Sequence, residues 1–231
     1  LQAEHAAYLA FLESADPDAE ALRDARFRQR AGLVGTQVLL SIGVFAYIGF
    51  NRPRMFAIRS RMLALTILVA GTLAAARGLD WRWPSLPELM LTPVLLASAA
   101  IAIVYPPRLA LGLMCFVAVM LTVVVRQDVS FLLTLLTGLA VTVYMLTDIR
   151  TRTKIISSGL LTASAVVAAS VSGALLEGQN VDYAGLHAAW AAISVMASAF
   201  IFTGILPFIE RVFRIATPLT LLEWRDPTRP L

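Results

Sequence analysis

Apolar runs long enough to cross a bilayer recur along almost the whole chain, separated by short stretches where arginine, proline and acidic residues collect. From Ala31 to Phe50 only Gln37 is strongly polar, and about 20 residues rising about 1.5 Å each match a hydrocarbon core of about 30 Å. Further runs over 62–76, 89–105, 109–125, 129–147, 155–176 and 184–206 complete a predicted set of seven transmembrane helices. The shorter runs are expected to extend into flanking residues such as Ile58 or Leu79, because a long arginine side chain can carry its charge back to the headgroups. Between the third and fourth runs, Pro106 and Pro107 must turn the chain sharply; without that break the count would be six.

The polar ends also carry helical patterns. Asp16, Pro17, Asp18 and Glu20 combine an N-cap, a first-turn proline and acids that suit the helix dipole, predicting a helix that runs into the first span. After the last span, apolar Phe208, Ile209, Val212 and Phe213 share one helical face and Glu210, Arg211 and Arg214 the other. Such a helix can lie along the membrane interface, with Pro207 marking where it departs from the span. Thr217 before Pro218, or Thr220 with Glu223 as a capping box, would start another short helix. The expected fold is an all-α membrane protein, a bundle of seven transmembrane helices with a cytoplasmic amphipathic juxtamembrane helix. Its expected divisions are 1–30, the end of an extracellular domain with a lead-in helix; 31–206, the transmembrane domain; and 207–231, a cytoplasmic coupling segment.

Composition excludes a soluble globule. Hydrophobic residues make up 58% of the 231 and charged residues 15%, against about 45–50% and about 25% in ordinary soluble domains. The net charge of +4 comes almost entirely from arginines in short loops, Lys154 being the only lysine; that is topological information, not a nucleic-acid footprint. One set of loops carries Arg52, Arg54, Arg59, Arg61, Arg108, Arg150, Arg152 and Lys154, the other only Arg77, Arg82 and Arg126. The richer set belongs in the cytoplasm, which places the N-terminus outside and the tail inside. Arg23, Arg26, Arg28 and Arg30 oppose this, but they alternate with acids as in an exported domain, where the rule weakens. The chain opens on Leu1 without a signal-peptide pattern and reads as part of something longer. Cys115, the sole cysteine, excludes an intrachain disulfide and a cysteine-based zinc site.

The predicted spans hold no ionisable side chain except His187, whereas pumps, proton-coupled carriers and channels commonly keep such groups at membrane depth. His187 lies beside Tyr183 and Trp190 at the outer end of the seventh run, where a headgroup belt is expected rather than a proton or metal role. Lys154, in a loop, cannot form a retinal Schiff base. Trp81, Arg82 and Trp83 are likewise expected in an aromatic belt. Small residues recur in the last two spans, Ser157, Ser158, Gly159, Thr162, Ser164, Ser170, Ser172 and Gly173 in the sixth and Gly185, Ala189, Ser194 and Ser198 in the seventh. Close packing is the plain expectation and a sliding interface the sharper one.

The tail carries a resemblance. Leu206, Pro207, Glu210, Phe213, Thr217, Leu219, Leu221, Leu222 and Glu223, closing on Pro230 and Leu231, resemble the string that joins the last span to the catalytic domain in bacterial seven-transmembrane receptors with an intracellular HD hydrolase. Weaker echoes are Pro107, Arg108, Leu109 and Ala110, the basic segment 150–154, and the spacing of the spans. The resemblance implies a metal-dependent phosphodiesterase, some of whose relatives hydrolyse cyclic di-AMP, anchored in the bacterial cytoplasmic membrane between its own extracellular and HD domains. A homo-oligomer is compatible with it; nucleic acid is not an expected partner. No catalytic or metal-binding residue carries over, because His5 and His187 are the only histidines and no His-Asp pair occurs. Any divalent metal is expected in the HD domain, and no cofactor here. The residues expected to couple membrane to hydrolase are Pro207, Glu210, Arg211, Phe213, Thr217, Leu222 and Glu223. The alternative is a small-molecule permease or lipid-binding membrane protein using Ser and Thr faces.

Overall fold

The computed structural model describes residues 17–51, 59–146 and 152–213. They form seven α-helices: α1 (Pro17–Asn51), α2 (Arg59–Arg82), α3 (Leu91–Val104), α4 (Pro107–Val125), α5 (Val129–Met145), α6 (Arg152–Leu176) and α7 (Val181–Phe213). A 3-10 turn, Pro87–Met90, leads into α3. No strand occurs among the described residues. Six helical stretches are long and apolar enough to cross a bilayer. The remaining helix, α5, has 17 residues, at the short end of the range of about 17–25 that spans lipid. The expected all-α class and helix count both hold.

Contacts divide the chain into two units, residues 1–42 and 43–231. The described part of the first is helical from Pro17, with the proline at the first helical position as anticipated. Its hydroxyls turn inward to their own backbone, Thr36 to the Gly32 carbonyl at 2.9 Å and Ser41 to the Gln37 carbonyl at 2.8 Å. This removes donors that lipid could not satisfy.

In the second unit α3 is central, touching α2, α4, α5 and α7. Its sequence, LTPVLLASAAIAIV, is apolar all round, the pattern of a helix enclosed by others. Leu91, Val94, Leu95 and Ile101 are fully buried and join Leu113, Met114, Val117, Leu135, Leu139, Val166, Val195 and Phe202 in one core. Large apolar side chains on the outside, such as Ile67, Leu160 and Phe200, stay exposed and face lipid. Lipid tails are as apolar as these side chains, so helix association depends on close packing and interhelical hydrogen bonds rather than hydrophobic burial. One such bond runs from Thr92 Oγ1 to the Ser194 carbonyl at 3.1 Å, tying α3 to α7.

The double proline breaks the chain as expected. Tyr105 and Pro106 are extended, with φ/ψ of −124/156° and −61/145°, and Pro107 opens α4. Beneath this turn the Tyr47 hydroxyl donates to the Arg108 carbonyl at 2.8 Å. Its ring occupies the space that a Cβ at Gly112 would need, so glycine there permits the approach.

The small-residue faces are partly redistributed. A Cβ on Gly159 would lie 2.6 Å from that of Ala199, so α6 and α7 meet closely there. Gly173 instead receives Ser130 of α5. Ser158, Thr162, Ser170, Ser194 and Ser198 are buried, whereas Ser157, Ser164, Ser172, Gly185 and Ala189 face outward. The seam is therefore shared by three helices. The juxtamembrane segment is helical as expected and is joined to the last span without a gap, α7 continuing through Pro207 to Phe213. Proline withholds only its own N–H, leaving the Thr203 carbonyl without that donor while neighbouring rungs persist.

Candidate functional site

Three turns converge at one end of the second unit. Helix α4 ends at Arg126, whose left-handed φ/ψ of 60/40° turns the chain, and the Gln127 amide bonds back to the Thr122 carbonyl at 3.1 Å. Asp128 is extended and precedes α5 without a capping bond from its side chain. Helix α6 ends in a Schellman turn, with the Gly178 amide on the Leu175 carbonyl at 3.1 Å and the Gln179 amide on the Ala174 carbonyl at 3.0 Å. Gly178 has φ 69°, which suits glycine at that position. Asn180 then leads into α7, its Oδ1 accepting a long 3.4 Å contact from the Asp182 amide.

The third turn is the 3-10 segment. Pro84 and Pro87 keep the chain out of α-helix, and Glu88 enters the bundle 7% exposed. Its Oε1 lies 2.5 Å from Nδ1 of His187, on the first turns of α7. The Tyr183 ring packs on the His187 imidazole with centroids 4.0 Å apart. The other carboxylate oxygen, Oε2, is buried without a hydrogen-bond partner. The pair borders a cavity of about 100 Å³ that also reaches Gln127, Asp128, Glu177 and Gln179. Leu91, Phe131, Thr134, Ser170 and Ala174 complete its walls. Gln179 Nε2 donates to Glu177 Oε2 at 2.8 Å. The lining holds three acids and one histidine and no lysine or arginine.

His187 is thus corrected from a headgroup-belt residue to one turned into the bundle, and Glu88 is the functional residue that sequence reasoning missed. The available signal was an acid directly after Pro87, at the head of an apolar run on the same side as His187. Trp81 is 86% exposed, and the Arg82 guanidinium lies 5.3 Å from the Trp83 ring centroid, an exposed cation–π contact outside the cavity lining. Pro207, Glu210, Arg211 and Phe213 lie on the last turns of α7. Thr217, Leu222 and Glu223 fall outside the described residues.

His187→Ala is expected to leave the buried Glu88 carboxylate with neither oxygen partnered, costing about 1.5–3 kcal/mol. Glu88→Gln, which retains a hydrogen-bonding group, is expected to cost less. Thermal unfolding of the two variants in lipid nanodiscs measures the difference, and equal losses would show that the pair contributes only packing.

Seven helices, six of them of clear spanning character, with a polar cavity at one end and a helix prolonged at the other, define an integral membrane protein. The chain belongs to the family described as the 7TM receptor with intracellular HD hydrolase, whose family model matches residues 27–217. No curated protein and no solved structure matches it.

Proposed function

We propose that this segment is the sensing and transducing membrane part of an HD-type, metal-dependent phosphohydrolase, receiving a signal at the polar cavity and passing it to a cytoplasmic hydrolase domain. One observation carries the reading: α7 begins at the cavity with Tyr183 and His187 and continues unbroken to Phe213. Its 33 residues, at about 1.5 Å each, extend about 50 Å, more than a hydrocarbon core of about 30 Å. One rod joins the two ends. Pro207, Glu210, Arg211, Phe213, Thr217, Leu222 and Glu223 are the coupling residues of this proposal.

The loop arginines support an outer cavity and an inner tail, with the protein in the bacterial cytoplasmic membrane. The family resemblance supports a cyclic dinucleotide such as cyclic di-AMP as the substrate. The residues here do not fit the hydrolase's metal centre. Among the described residues no group of three or more His, Cys, Asp or Glu is placed to hold a metal, and this proposal assigns the metal ligands to the hydrolase domain. No described helix is interrupted within its own length, so the permease reading gains no support from half-helices broken at mid-membrane.

Labelling tests the orientation. In a Cys115→Ser background, Trp81→Cys is expected to react with an impermeant maleimide in intact cells and Thr217→Cys only after lysis; the reverse pattern overturns the topology. Full-length protein supplied with a panel of divalent metals is expected to hydrolyse cyclic di-AMP, and inactivity across a panel of cyclic dinucleotides overturns the substrate assignment.

A further inference from the structure

His187 and Glu88 meet inside the bundle, their side chains only 14% and 10% exposed, with Nδ1 2.5 Å from Oε1. The other oxygen, Oε2, is buried without a hydrogen-bond partner, so charge compensation of this carboxylate falls to the imidazole. The contact joins the turn ahead of α3 to the first turns of α7, and histidine is the side chain that ordinarily changes charge between about pH 5 and 8. We propose that the pair is a proton-operated latch: a proton on His187 fastens the head of α7 to the turn, and its loss loosens them, making external pH the input at this end of the bundle.

The surroundings give the latch its sign. With the ring doubly protonated, imidazolium and carboxylate cancel within the bundle; with the ring neutral, a buried carboxylate is left without a counter-charge, which is costly. The latch therefore closes as pH falls and opens as pH rises. Asp128 ahead of α5 and Glu177 at the end of α6 line the adjoining cavity, and no lysine or arginine does, so an imidazolium is the one counter-charge the lining can supply. Tyr183, one turn earlier on α7, stacks on the ring with centroids 4.0 Å apart, and an aromatic face suits a cation. The other charges at this end lie outside the lining. Arg77 is paired with Asp80 at 2.5 Å, Arg82 lies against the Trp83 ring, and Arg126 and Asp182 do not reach the cavity.

Use of the latch as an input rests on the sensory reading above, whereas the latch itself is read without hydrolysis. Thermal unfolding of full-length protein in lipid nanodiscs is followed from pH 5.5 to 8.5 for the wild type and for His187→Gln, which keeps an N–H for Oε1 but cannot titrate. The wild-type advantage in Tm is expected to be larger at pH 6 than at pH 8.5 by about 2 °C or more; an advantage that stays constant or grows with pH overturns the proposal. In a Cys115→Ser background, spin labels on Trp81→Cys and Val181→Cys, both exposed positions, are expected to give a distance distribution that broadens as pH rises and that no longer responds to pH once His187→Gln is added. A distribution indifferent to pH with His187 present overturns the latch, and so does an equal response without it. If His187→Gln does not fold, Glu88→Gln replaces it with the same expectations. In proteoliposomes with the hydrolase side outermost and separately buffered, hydrolysis is expected to change with lumenal pH by about fivefold or more, and not in the variant. No response there would retain the latch and overturn its use as the input.

Discussion

Gly159→Ala is expected to separate α6 from α7 and destabilise the protein by about 1–3 kcal/mol, the usual cost of an extra carbon in a close-packed contact. The added Cβ would lie 2.6 Å from the Cβ of Ala199, which both helices must move to relieve. The effect has a specific partner. Ala199→Gly removes the opposing carbon, so the double variant Gly159→Ala with Ala199→Gly is expected to recover most of the lost stability. Contacting sites couple in this way, whereas distant ones simply add. Thermal unfolding of the four proteins in nanodiscs completes the cycle, and additive losses would mean that the two helices do not meet at these residues. If α6 and α7 carry the signal, basal hydrolysis of the full-length protein shifts with the single variant and returns with the double.

Changing the phase of α7 is expected to have the larger functional effect. One alanine inserted between Leu206 and Pro207 turns everything downstream by about 100°, whereas seven residues turn it by about two full turns and nearly restore the facing. The single insertion is therefore expected to change the stimulated-to-basal ratio of hydrolysis by about 5- to 150-fold, the range of typical allosteric couplings, and the seven-residue insertion far less. Helix α7 passes this point without interruption, which is what makes rotation transmissible. Equal effects of both insertions would exclude coupling through helical phase. Scrambling the face of residues 207–216 without changing basal or stimulated hydrolysis would exclude the segment altogether.

The membrane fold was largely legible because its signals are local. Hydropathy over about twenty residues located the long helices, and Tyr105–Pro106–Pro107 fixed the turn between α3 and α4 through steric rules acting on single residues. The site was less legible because its pairing is tertiary. Glu88 and His187 are 99 residues apart, and an apolar run read from Leu89 leaves Glu88 in the preceding loop; only the 3-10 turn brings it inside. Gly173 shows the same limit, since spacing marks a small residue open to close approach but not its partner, and Ser130 of α5 fills its notch. At Pro207 the sequence marks a proline inside a helical pattern but not whether the helix runs on. A proline removes one rung, and a helix can continue across the gap when adjoining rungs remain.

The separation of Glu88 and His187 also bears on how the bundle is made. Ribosomes add about 5–20 residues per second, so the 99 positions between the two side chains correspond to a delay of about 5–20 s. During that interval the acid in the turn ahead of α3 has no His187 to meet it. The contacts of α3 with α2, α4 and α5 can form earlier, but its contacts with α7 and the Glu88–His187 pair must await the last helix, so a nascent protein truncated before α7 is expected to hold its earlier helices less firmly and to be cut faster by quality-control proteases.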